Sequence, residues 1–324
     1  MTPSNVAKSI LACHKAGLVP MLLGQPGVGK SSIVADAAKE LGVPIVDFRP
    51  ALHGIEDLIG LPTFSDDKKF SSFATPSWLP RTGKGIFFID EMPQALPGMM
   101  AALSQFIYDR KLGDYELPEG WDIVIAGNRL TDRAATHKMP SHINDRVTFI
   151  DVEFSGNDFD DWCHLHKIHT AVRAFVKFNP KIVTSFDPQL EINCTPRSLV
   201  MASKLIGVNN DIEGELMEGT IGPGPAAEFR GYLKIWEELP DIEDLLKNPT
   251  RIAISEKPDI IFGVSTMLSA NATLKTFKAM VTYMSRVPPE YTASFVKDAI
   301  RLNKDLIETD TFAKYLKENA NVLV

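Results

Sequence analysis

The segment Gly24-Gln25-Pro26-Gly27-Val28-Gly29-Lys30-Ser31 lies between an apolar run, Val19–Leu23, and a helical pattern that ends at Gly42. Its spacing fits G-x-x-x-x-G-K-[ST], a phosphate-binding loop that requires a preceding strand and a following helix. The glycines let successive backbone N–H groups converge on phosphate oxygens, because no Cβ atom stands in the way. The N-terminus of the helix adds its partial positive charge. The segment therefore predicts a strand–loop–helix unit that binds phosphate groups.

Individual side chains of this loop have separate expected roles. Lys30 would reach the β- and γ-phosphates of ATP, and the Ser31 hydroxyl would be a ligand of Mg²⁺. A chance glycine-rich turn is the alternative interpretation, but the spacing and the flanking patterns both disfavour it. The predicted nucleotide-binding residues are Gly24, Gln25, Pro26, Gly27, Val28, Gly29, Lys30, Ser31, Ser32 and Asp90.

Two carboxylates follow the apolar run Ile86–Ile89. A buried strand delivers the residue after it to the carboxyl edge of a parallel sheet, where ligands bind in open α/β folds. We therefore expect Asp90 to hold Mg²⁺ through water and Glu91 to polarise the water that attacks the γ-phosphate. The alternative is an acidic pair that merely caps a strand, and the nearby phosphate loop disfavours it.

Asn128 comes shortly after another apolar run, Trp121–Ala126, and is expected at the same edge. Its amide could orient the attacking water between Glu91 and the γ-phosphate, although an asparagine in a tight turn is the other interpretation. A guanine-specific protein would carry Asn-Lys-x-Asp at this point. The segment 128–132 lacks the lysine and places its aspartate one position late, which disfavours a GTPase.

Arginines supply positive charge for phosphoryl transfer, and two of them occupy suggestive positions. Arg146 precedes the apolar run Val147–Val152, and Arg197 opens a helical pattern at Thr195-Pro196-Arg197. Taken alone, each would more often be an ordinary surface or ion-pair arginine. Both are candidate catalytic residues only in the company of the motifs above.

The chain changes character near its middle. In the first half, apolar runs alternate with helical patterns such as Ala101–Arg110, which predicts an α/β fold with an open parallel sheet covered by helices on both faces. The five predicted strands are Val19–Leu23, Ile45–Phe48, Gly85–Asp90, Trp121–Ala126 and Val147–Val152. The second half reads almost entirely as helix, and Gly222-Pro223-Gly224-Pro225 is a clear breaker within it.

Helical patterns of the second half have expected bounds of Asp158–Phe178, Thr195–Leu205, Ala226–Glu238, Ala270–Arg286, Pro289–Leu302 and Thr311–Asn319. Together with the first half, they predict three parts of the chain. An α/β nucleotide-binding core would span residues 1–154, a helical lid residues 155–222, and a C-terminal helical extension residues 223–324.

The set of motifs resembles the AAA+ ATPases, and its details are similar to their MoxR-like branch. The loop, Asp90-Glu91, Asn128, Asp145-Arg146 and Thr195-Pro196-Arg197 occur in the order and spacing of that family, over roughly residues 16–205. Ile55–Pro62 resembles the ED-L-G-P segment of the branch, and Asp90–Ala95 resembles its DE-x-x-x-A continuation.

This resemblance implies roles and partners. Asn128 would be sensor 1, Arg197 would be sensor 2, and Arg146 would be the finger that reaches the nucleotide of a neighbouring subunit, with Arg133 as a competing finger. The family's open sheet with a helical lid assembles as a ring, usually a hexamer, with ATP and Mg²⁺ between subunits. MoxR-like proteins commonly work with a separate protein that carries a von Willebrand factor A domain, so ATP-driven remodelling of a protein client is the expected activity.

Composition disfavours several other classes of protein. The formal net charge is −7 and no long run of lysine or arginine occurs, so nucleic acid is not an expected partner. No apolar stretch approaches the ~20 residues that span a bilayer. Three widely spaced cysteines argue for free thiols in a reducing compartment. We therefore expect a cytoplasmic protein without membrane contact.

Other functions stay open on the sequence alone. An ATP-dependent scaffold that switches without hydrolysis would not need Glu91, and a DNA-handling AAA+ factor would need a local basic surface. A small-molecule kinase would need an acceptor pocket that the sequence does not reveal. A metal site is a further alternative, because Cys163, His166 and His169 recur at intervals of three, but zinc normally requires a fourth ligand.

Overall fold

The computed structural model describes residues 1–132, 139–209 and 211–319. The chain forms two compact units, Met1–Ser155 with Asp187–Leu190, and Gly156–Phe186 with Glu191–Val324. The first unit contains the sheet, and the second unit is helical. The finer division into a core, a lid and an extension stays a prediction.

The strands of the first unit are β1 (Pro20–Leu23), β2 (Ile45–Phe48), β3 (Leu61–Phe64), β4 (Ser71–Ala74), β5 (Lys84–Ile89), β6 (Lys111–Leu112), β7 (Tyr115–Glu116), β8 (Gly120–Gly127) and β9 (Thr148–Asp151). Five of them form one parallel sheet in the order β2-β5-β8-β1-β9. This confirms the predicted five-stranded parallel sheet, and each strand end lies within one residue of its expected position.

The register of the sheet brings the predicted site residues to one edge. Leu23, the last residue of β1, lies opposite Gly127 of β8 on one side and Asp151 of β9 on the other. Ile89, the last residue of β5, lies opposite Phe48 of β2. The carboxyl ends of these strands therefore stand side by side, and the residues that follow them share one edge.

The helices of the first unit are α1 (Pro3–Ala16), α2 (Lys30–Leu41), α3 (Ile55–Ile59), α4 (Pro97–Asp109) and α5 (Ser141–Asn144). Alternate residues of the central strands pack on opposite faces, as the period of a strand requires. Phe87 of β5 lies in a core with residues of α4, whereas Ile86 lies in a second core with residues of α1 and α2. This confirms that helices cover both faces of the sheet.

The antiparallel hairpin of β3 and β4 is a feature that the sequence analysis did not predict. Every residue of both strands is exposed, including Phe64 and Phe73. Because neither face of the hairpin packs on the core, its sequence has no sustained alternation of apolar and polar residues to mark it. A second short hairpin joins β6 and β7.

The second unit consists of α6 (Gly156–Leu165), α7 (Thr170–Phe178), α8 (Lys181–Thr184), α9 (Pro196–Ser203), α10 (Glu213–Ile221), α11 (Pro223–Glu237), α12 (Ile242–Lys247), α13 (Pro258–Ala270), α14 (Phe277–Met284), α15 (Pro289–Leu302) and α16 (Asp310–Glu318). This confirms the helical character of the second half. Gly222 has φ 85° and separates α10 from α11, as the breaker predicts. Among the described residues, no helix is both long and apolar enough to cross a membrane.

Two helical predictions in this unit were wrong in extent. The pattern over Asp158–Phe178 is divided between α6 and α7, because Lys167 has φ 56° and His169 caps α7 by accepting a hydrogen bond from the Ala171 N–H at 3.2 Å. The pattern over Ala270–Arg286 contains only α14. The preceding segment is a turn in which the side chains of Thr273 and Thr276 accept hydrogen bonds from each other's backbone N–H groups, and such bonds compete with the helix.

Candidate nucleotide-binding site

The phosphate loop leads from β1 into α2, as the sequence predicts. Gly29 has φ 99°, a left-handed conformation that side chains rarely tolerate, and it is the N-cap residue of α2. The first turn of α2 contains no acidic residue. No acidic side chain of this turn therefore offsets the positive end of the helix dipole, which lies at the loop. An anion is the ligand that this geometry attracts.

Lys30 connects the loop to the end of β8. Its Nζ atom lies 2.7 Å from the carbonyl oxygen of Gly24, 3.1 Å from that of Gln25 and 2.8 Å from Oδ1 of Asn128. Lys30 is buried, so water competes little for these contacts. The predicted phosphate-binding lysine and the predicted sensor therefore touch, although 98 residues separate them.

Ser31 connects the loop to the end of β5. Its hydroxyl donates to Oδ2 of Asp90 over 2.8 Å, and Asp90 is buried. The Asp90 N–H donates to the carbonyl oxygen of Phe48 at 2.9 Å, which extends the ladder between β2 and β5. The hydroxyl and the carboxylate are oxygen ligands of the kind that Mg²⁺ prefers, so this pair fits the expected metal.

Glu91 adopts a conformation that is unusual for a residue with a side chain. Its φ is 58°, and its N–H donates to Oδ1 of Asp90 while its carbonyl accepts from the Gln94 N–H, both at 2.9 Å. Such a backbone costs about 1–3 kcal/mol, and it persists only where the surroundings hold it. Glu91 is partly exposed, so its carboxylate can meet a water molecule at the edge of the sheet.

The distance between Glu91 and Asn128 depends on a close backbone approach at Gly127. A Cβ atom added to Gly127 would lie 2.4 Å from Cδ of Pro93, which follows Glu91 by two residues. Only glycine therefore lets the turn after Glu91 pack against the end of β8. Glu91 and Asn128, the two residues that are expected to position water, therefore follow neighbouring strand ends that this contact holds together.

Arg146 lies at the opposite edge of the sheet. It precedes Thr148, the first residue of β9, which is opposite Pro20 at the start of β1. Its guanidinium carbon lies 4.1 Å from the centre of the Tyr108 ring, and the residue is exposed. The length of β9 separates Arg146 from the phosphate loop, so the structure does not bring it to the site of its own subunit.

The other two arginine predictions remain untested. Arg197 is the second residue of α9 in the helical unit, and it is exposed. The start of α9 is fixed by Thr195, whose hydroxyl accepts from the Ser198 N–H at 3.1 Å. Arg133, the competing finger candidate, lies outside the described residues. The roles of Glu91, Asn128, Arg146 and Arg197 all stay predictions at this point.

No protein-family model matches the chain, and no curated protein sequence matches it. Among solved structures, the chain is similar to the Thermotoga maritima RuvB Holliday junction branch migration motor, at 16% identity and a TM-score of 0.42, over 88% of this chain and 86% of that one. NtrX from Brucella abortus in complex with ADP matches at 12% identity and a TM-score of 0.37, over 99% of this chain and 68% of that one. Likenesses this distant decide nothing about function, so it has to be inferred from the side chains of the site.

The sequence analysis missed Arg49, which immediately follows β2. Its Nη2 atom lies 3.0 Å from Oδ2 of Asp47. This hydrogen bond and the charge of Asp47 raise the pKa of Arg49, and the charges of Asp90 and Glu91 raise it further. The charges of Asp90, the predicted Mg²⁺ residue, and Glu91, the predicted catalytic carboxylate, therefore act on a cation at the end of the neighbouring strand. Only the strand order, which places β2 next to β5, would have revealed it.

The sequence analysis also missed an ion pair between neighbouring strand ends. Arg129, the residue after Asn128, has Nε and Nη2 each 3.0 Å from Oδ1 of Asp151 at the end of β9. In the sequence, Arg129 follows Asn128 and Asp151 lies within the predicted strand Val147–Val152. Their pairing was not visible there, because it depends on the position of β1 between β8 and β9.

The cysteine and histidine segment 163–169, which runs from α6 to the start of α7, forms no metal-binding group in the part of the chain that the structure describes. Cys163 is buried, and burial raises the pKa of its thiol to about 12. His164 accepts a hydrogen bond from Arg173, His166 stacks on Trp162, and His169 caps α7. Each of these side chains therefore has a structural role.

Proposed function

We propose that this protein is an ATP-hydrolysing AAA+ protein of the MoxR-like kind, which acts as an oligomeric remodelling motor or chaperone on a protein partner. The observation that carries the proposal is the pair of contacts Lys30–Asn128 and Ser31–Asp90. These contacts bring three separate sequence motifs to one edge of the sheet. A chance glycine-rich turn would not have placed Asn128 and Asp90 within hydrogen-bond distance of the loop.

Binding of ATP exchanges protein oxygens for phosphate oxygens. The N–H groups of the loop and of the first turn of α2 surround the β-phosphate, while Lys30 turns from the carbonyl oxygens of Gly24 and Gln25 to the β- and γ-phosphates. This exchange releases the Asn128 amide, which Lys30 holds through Oδ1. The sensor is thus coupled to the presence of the nucleotide.

Ser31 and Asp90 would hold Mg²⁺, Ser31 directly and Asp90 through water. When bound, the ion neutralises charge on the β- and γ-phosphate oxygens and orients them for in-line attack. The hydrogen bond between the two side chains already sets their oxygens 2.8 Å apart. Little rearrangement of the protein is therefore required to form the site.

Water is activated between Glu91 and Asn128. Glu91 accepts a hydrogen bond from the attacking water and later its proton, and Asn128 orients the same water towards phosphorus. The unusual backbone of Glu91 and the close approach of Pro93 to Gly127 support this role, because they hold the turn after Glu91 against the end of the strand that precedes Asn128. Both groups belong to the same subunit as the phosphate loop.

Arg146 acts on the nucleotide of a neighbouring subunit. Its position at the amino edge of the sheet keeps it away from the phosphates of its own subunit, and its exposure leaves it accessible to a second copy of the chain. Arginine fingers contribute about 10³–10⁵ in rate, so an isolated subunit should be nearly idle. A ring, by family resemblance a hexamer, gives every site a finger.

The partner is proposed on resemblance alone. A ring of this kind would pass the cycle of binding and hydrolysis to a protein client, with a separate von Willebrand factor A domain protein as the expected adaptor. The Arg197 side chain would act as sensor 2 in the same cycle. The chemistry above does not depend on the identity of the client.

The proposal is tested by specific ATPase activity, with Mg²⁺ present, as a function of protein concentration. We expect the activity to rise from near zero to a plateau as subunits assemble. Lys30→Ala should abolish nucleotide binding, whereas Glu91→Gln should bind ATP and fail to release phosphate. A monomer with full activity would refute the shared site, and binding of ATP without turnover in the unchanged protein would favour the non-catalytic switch.

A further inference from the structure

Arg129 immediately follows Asn128, and a short turn fixes its backbone. Its N–H donates to Oδ2 of Asp132, and its carbonyl accepts from the Asp132 N–H, both at 3.0 Å. Asp132 is itself buried. Because Asn128 touches the Nζ of Lys30, this turn holds the start of the Arg129 side chain next to the phosphate loop.

The Arg129 guanidinium reaches across the end of β1. It pairs with Asp151 of β9, and β1 lies between β8 and β9. The last residue of β1, Leu23, is opposite both Gly127 and Asp151. The ion pair therefore passes over the point where the chain leaves β1 and enters the phosphate loop.

Asp151 is a weak partner for this arginine. The Asp151 side chain is 63% exposed and that of Arg129 is 31% exposed, so water screens their attraction. Nε and Nη2 share one oxygen, Oδ1. A planar guanidinium binds a carboxylate or a phosphate better through two parallel hydrogen bonds to two oxygens. A triphosphate at the loop offers both a higher negative charge and such a pair of oxygens.

We propose that Arg129 is a phosphate-binding residue of its own subunit's site, which leaves Asp151 for the γ-phosphate when ATP binds. The inference rests on the proposed ATP site and adds to it a means of distinguishing ATP from ADP. Lys30 contacts both nucleotides. Arg129 directly follows Asn128, whose side chain is expected next to the γ-phosphate. ADP lacks that phosphate, so Arg129 stays on Asp151 when ADP is bound.

Equilibrium binding of Mg²⁺–ADP and of a Mg²⁺-bound non-hydrolysable ATP analogue tests the inference on the full chain. We expect Arg129→Ala to weaken the affinity for the analogue by about 10-fold or more, the size of a charge-assisted hydrogen bond. The affinity for ADP should change by less than about 3-fold, well under one such bond. Arg129→Lys should fall between, because it keeps the charge and loses the planar fork.

Asp151→Asn is the matched control, because it removes the same ion pair and leaves Arg129 in place. It should bind the ATP analogue at least as tightly as the unchanged protein, and thermal unfolding should show that all variants are folded. The inference is overturned if Arg129→Ala and Asp151→Asn weaken the binding of both nucleotides equally. It is also overturned if Arg129→Ala leaves the ratio of the affinities for the ATP analogue and ADP unchanged. In either case, Arg129 only joins two strands. If the unchanged protein binds neither nucleotide, the proposed ATP site itself is wrong.

Discussion

In the α/β unit, Lys30 and Asp90 stand at an edge of the sheet, where their contacts are with a loop carbonyl, an amide or a hydroxyl. In the helical unit, Asp160 and Arg173 contact each other directly at 2.7 Å, and each side chain is only 2% exposed. The same types of charged residue therefore occur in two different settings. In the first, hydrogen bonds join the charges to neutral groups that a ligand can replace. In the second, the charges neutralise each other.

The buried cluster of the helical unit extends over three helices. Asp160 of α6 also contacts Lys177 of α7 at 3.1 Å and Arg301 of α15, and Lys177 lies 2.7 Å from Asp298 of α15. Burial would raise the pKa of Asp160, but the neighbouring cations lower it well below its ordinary value. For Asp298, burial is the largest effect and the pKa is raised.

The difference shows what separates a structural charge from a functional one in this molecule. A strongly shifted pKa marks candidate functional groups in general, yet here it marks Asp160, whose charge is matched and whose surface is covered. Lys30 and Asp90, at the carboxyl edge of the sheet, are distinguished instead by hydrogen bonds to neutral groups that a ligand can replace. Glu91 at the same edge is distinguished by its positive φ. Each of the following variants affects one region and should leave the other intact.

The largest expected effect concerns turnover. Glu91→Gln removes the proposed water-polarising group and should lower the steady-state ATPase rate by about 100- to 10,000-fold, the usual contribution of a general base. The free energy of unfolding should stay close to that of the unchanged protein, because Glu91 lies at a partly exposed edge. A parallel phosphate-release assay and urea titration measure both quantities. A fall in ATPase rate that is accompanied by a large fall in the free energy of unfolding would contradict the distinction between the two regions.

A reciprocal effect is expected in the helical unit. Asp160→Ala removes the carboxylate that buried Arg173 contacts at 2.7 Å and should lower the free energy of unfolding by about 3–5 kcal/mol. Glu243→Ala is the control, because its ion pair with Lys247 is exposed and adds little. Urea titration followed by circular dichroism measures the change. The account fails here if Asp160→Ala is as stable as the control or selectively abolishes nucleotide binding in a folded protein.

A smaller effect is expected at the contact between Gly127 and Pro93. Gly127→Ala inserts a Cβ atom 2.4 Å from Cδ of Pro93, an overlap that displaces the turn after Glu91. We expect a loss of about 1–3 kcal/mol in the free energy of unfolding, typical of overpacking. Turnover should fall more than nucleotide affinity does, because the variant moves Glu91 and leaves Lys30 in place. A change in affinity alone would argue against this role of the contact.

The smallest effect is a dependence of stability on pH. Nη1 of Arg173 lies 3.2 Å from Nδ1 of His164, and burial together with the charge of Arg173 lowers the pKa of His164. The folded state therefore binds a proton less readily than the unfolded state does. Stability should be constant above pH ~6.5 and should decline as the pH falls below that value, towards the folded pKa. Urea titrations at several pH values should show a shallower decline for His164→Gln.

The sequence predicted the sheet well because its strands are short apolar runs bounded by turn signals. Ile45–Phe48 was predicted with the observed bounds, and both faces of β5 are covered, as its unbroken apolar run implies. The exposed hairpin of β3 and β4 lacks such a run and was missed. The turn between α13 and α14 was missed because its reciprocal hydrogen bonds between Thr273 and Thr276 leave no mark in the apolar pattern.

The candidate site was predictable where one motif carries its own chemistry, as in Lys30, Ser31 and the Asp90–Glu91 pair. Arg49 and Arg129 were not predictable, because their importance depends on which strands are neighbours. The order β2-β5-β8-β1-β9 makes β2, which precedes Arg49, the neighbour of β5, and it puts β1 between the two strands whose ends Arg129 and Asp151 join. Strand order follows from packing among helices and sheet, and a local pattern does not contain it.

Mixing two inactive variants tests the central claim, an ATP site completed between subunits. We expect Lys30→Ala to lose nucleotide binding and keep Arg146, the proposed finger, and Arg146→Ala to bind nucleotide and lack that finger. Random assembly of equal amounts should give about a quarter of the sites an intact loop beside an intact finger, and ATPase activity should appear on mixing. Activity in the mixture and in neither variant alone is the predicted result. A mixture that forms joint assemblies without activity, or an Arg146→Ala protein as active as the unchanged one, would contradict the shared site.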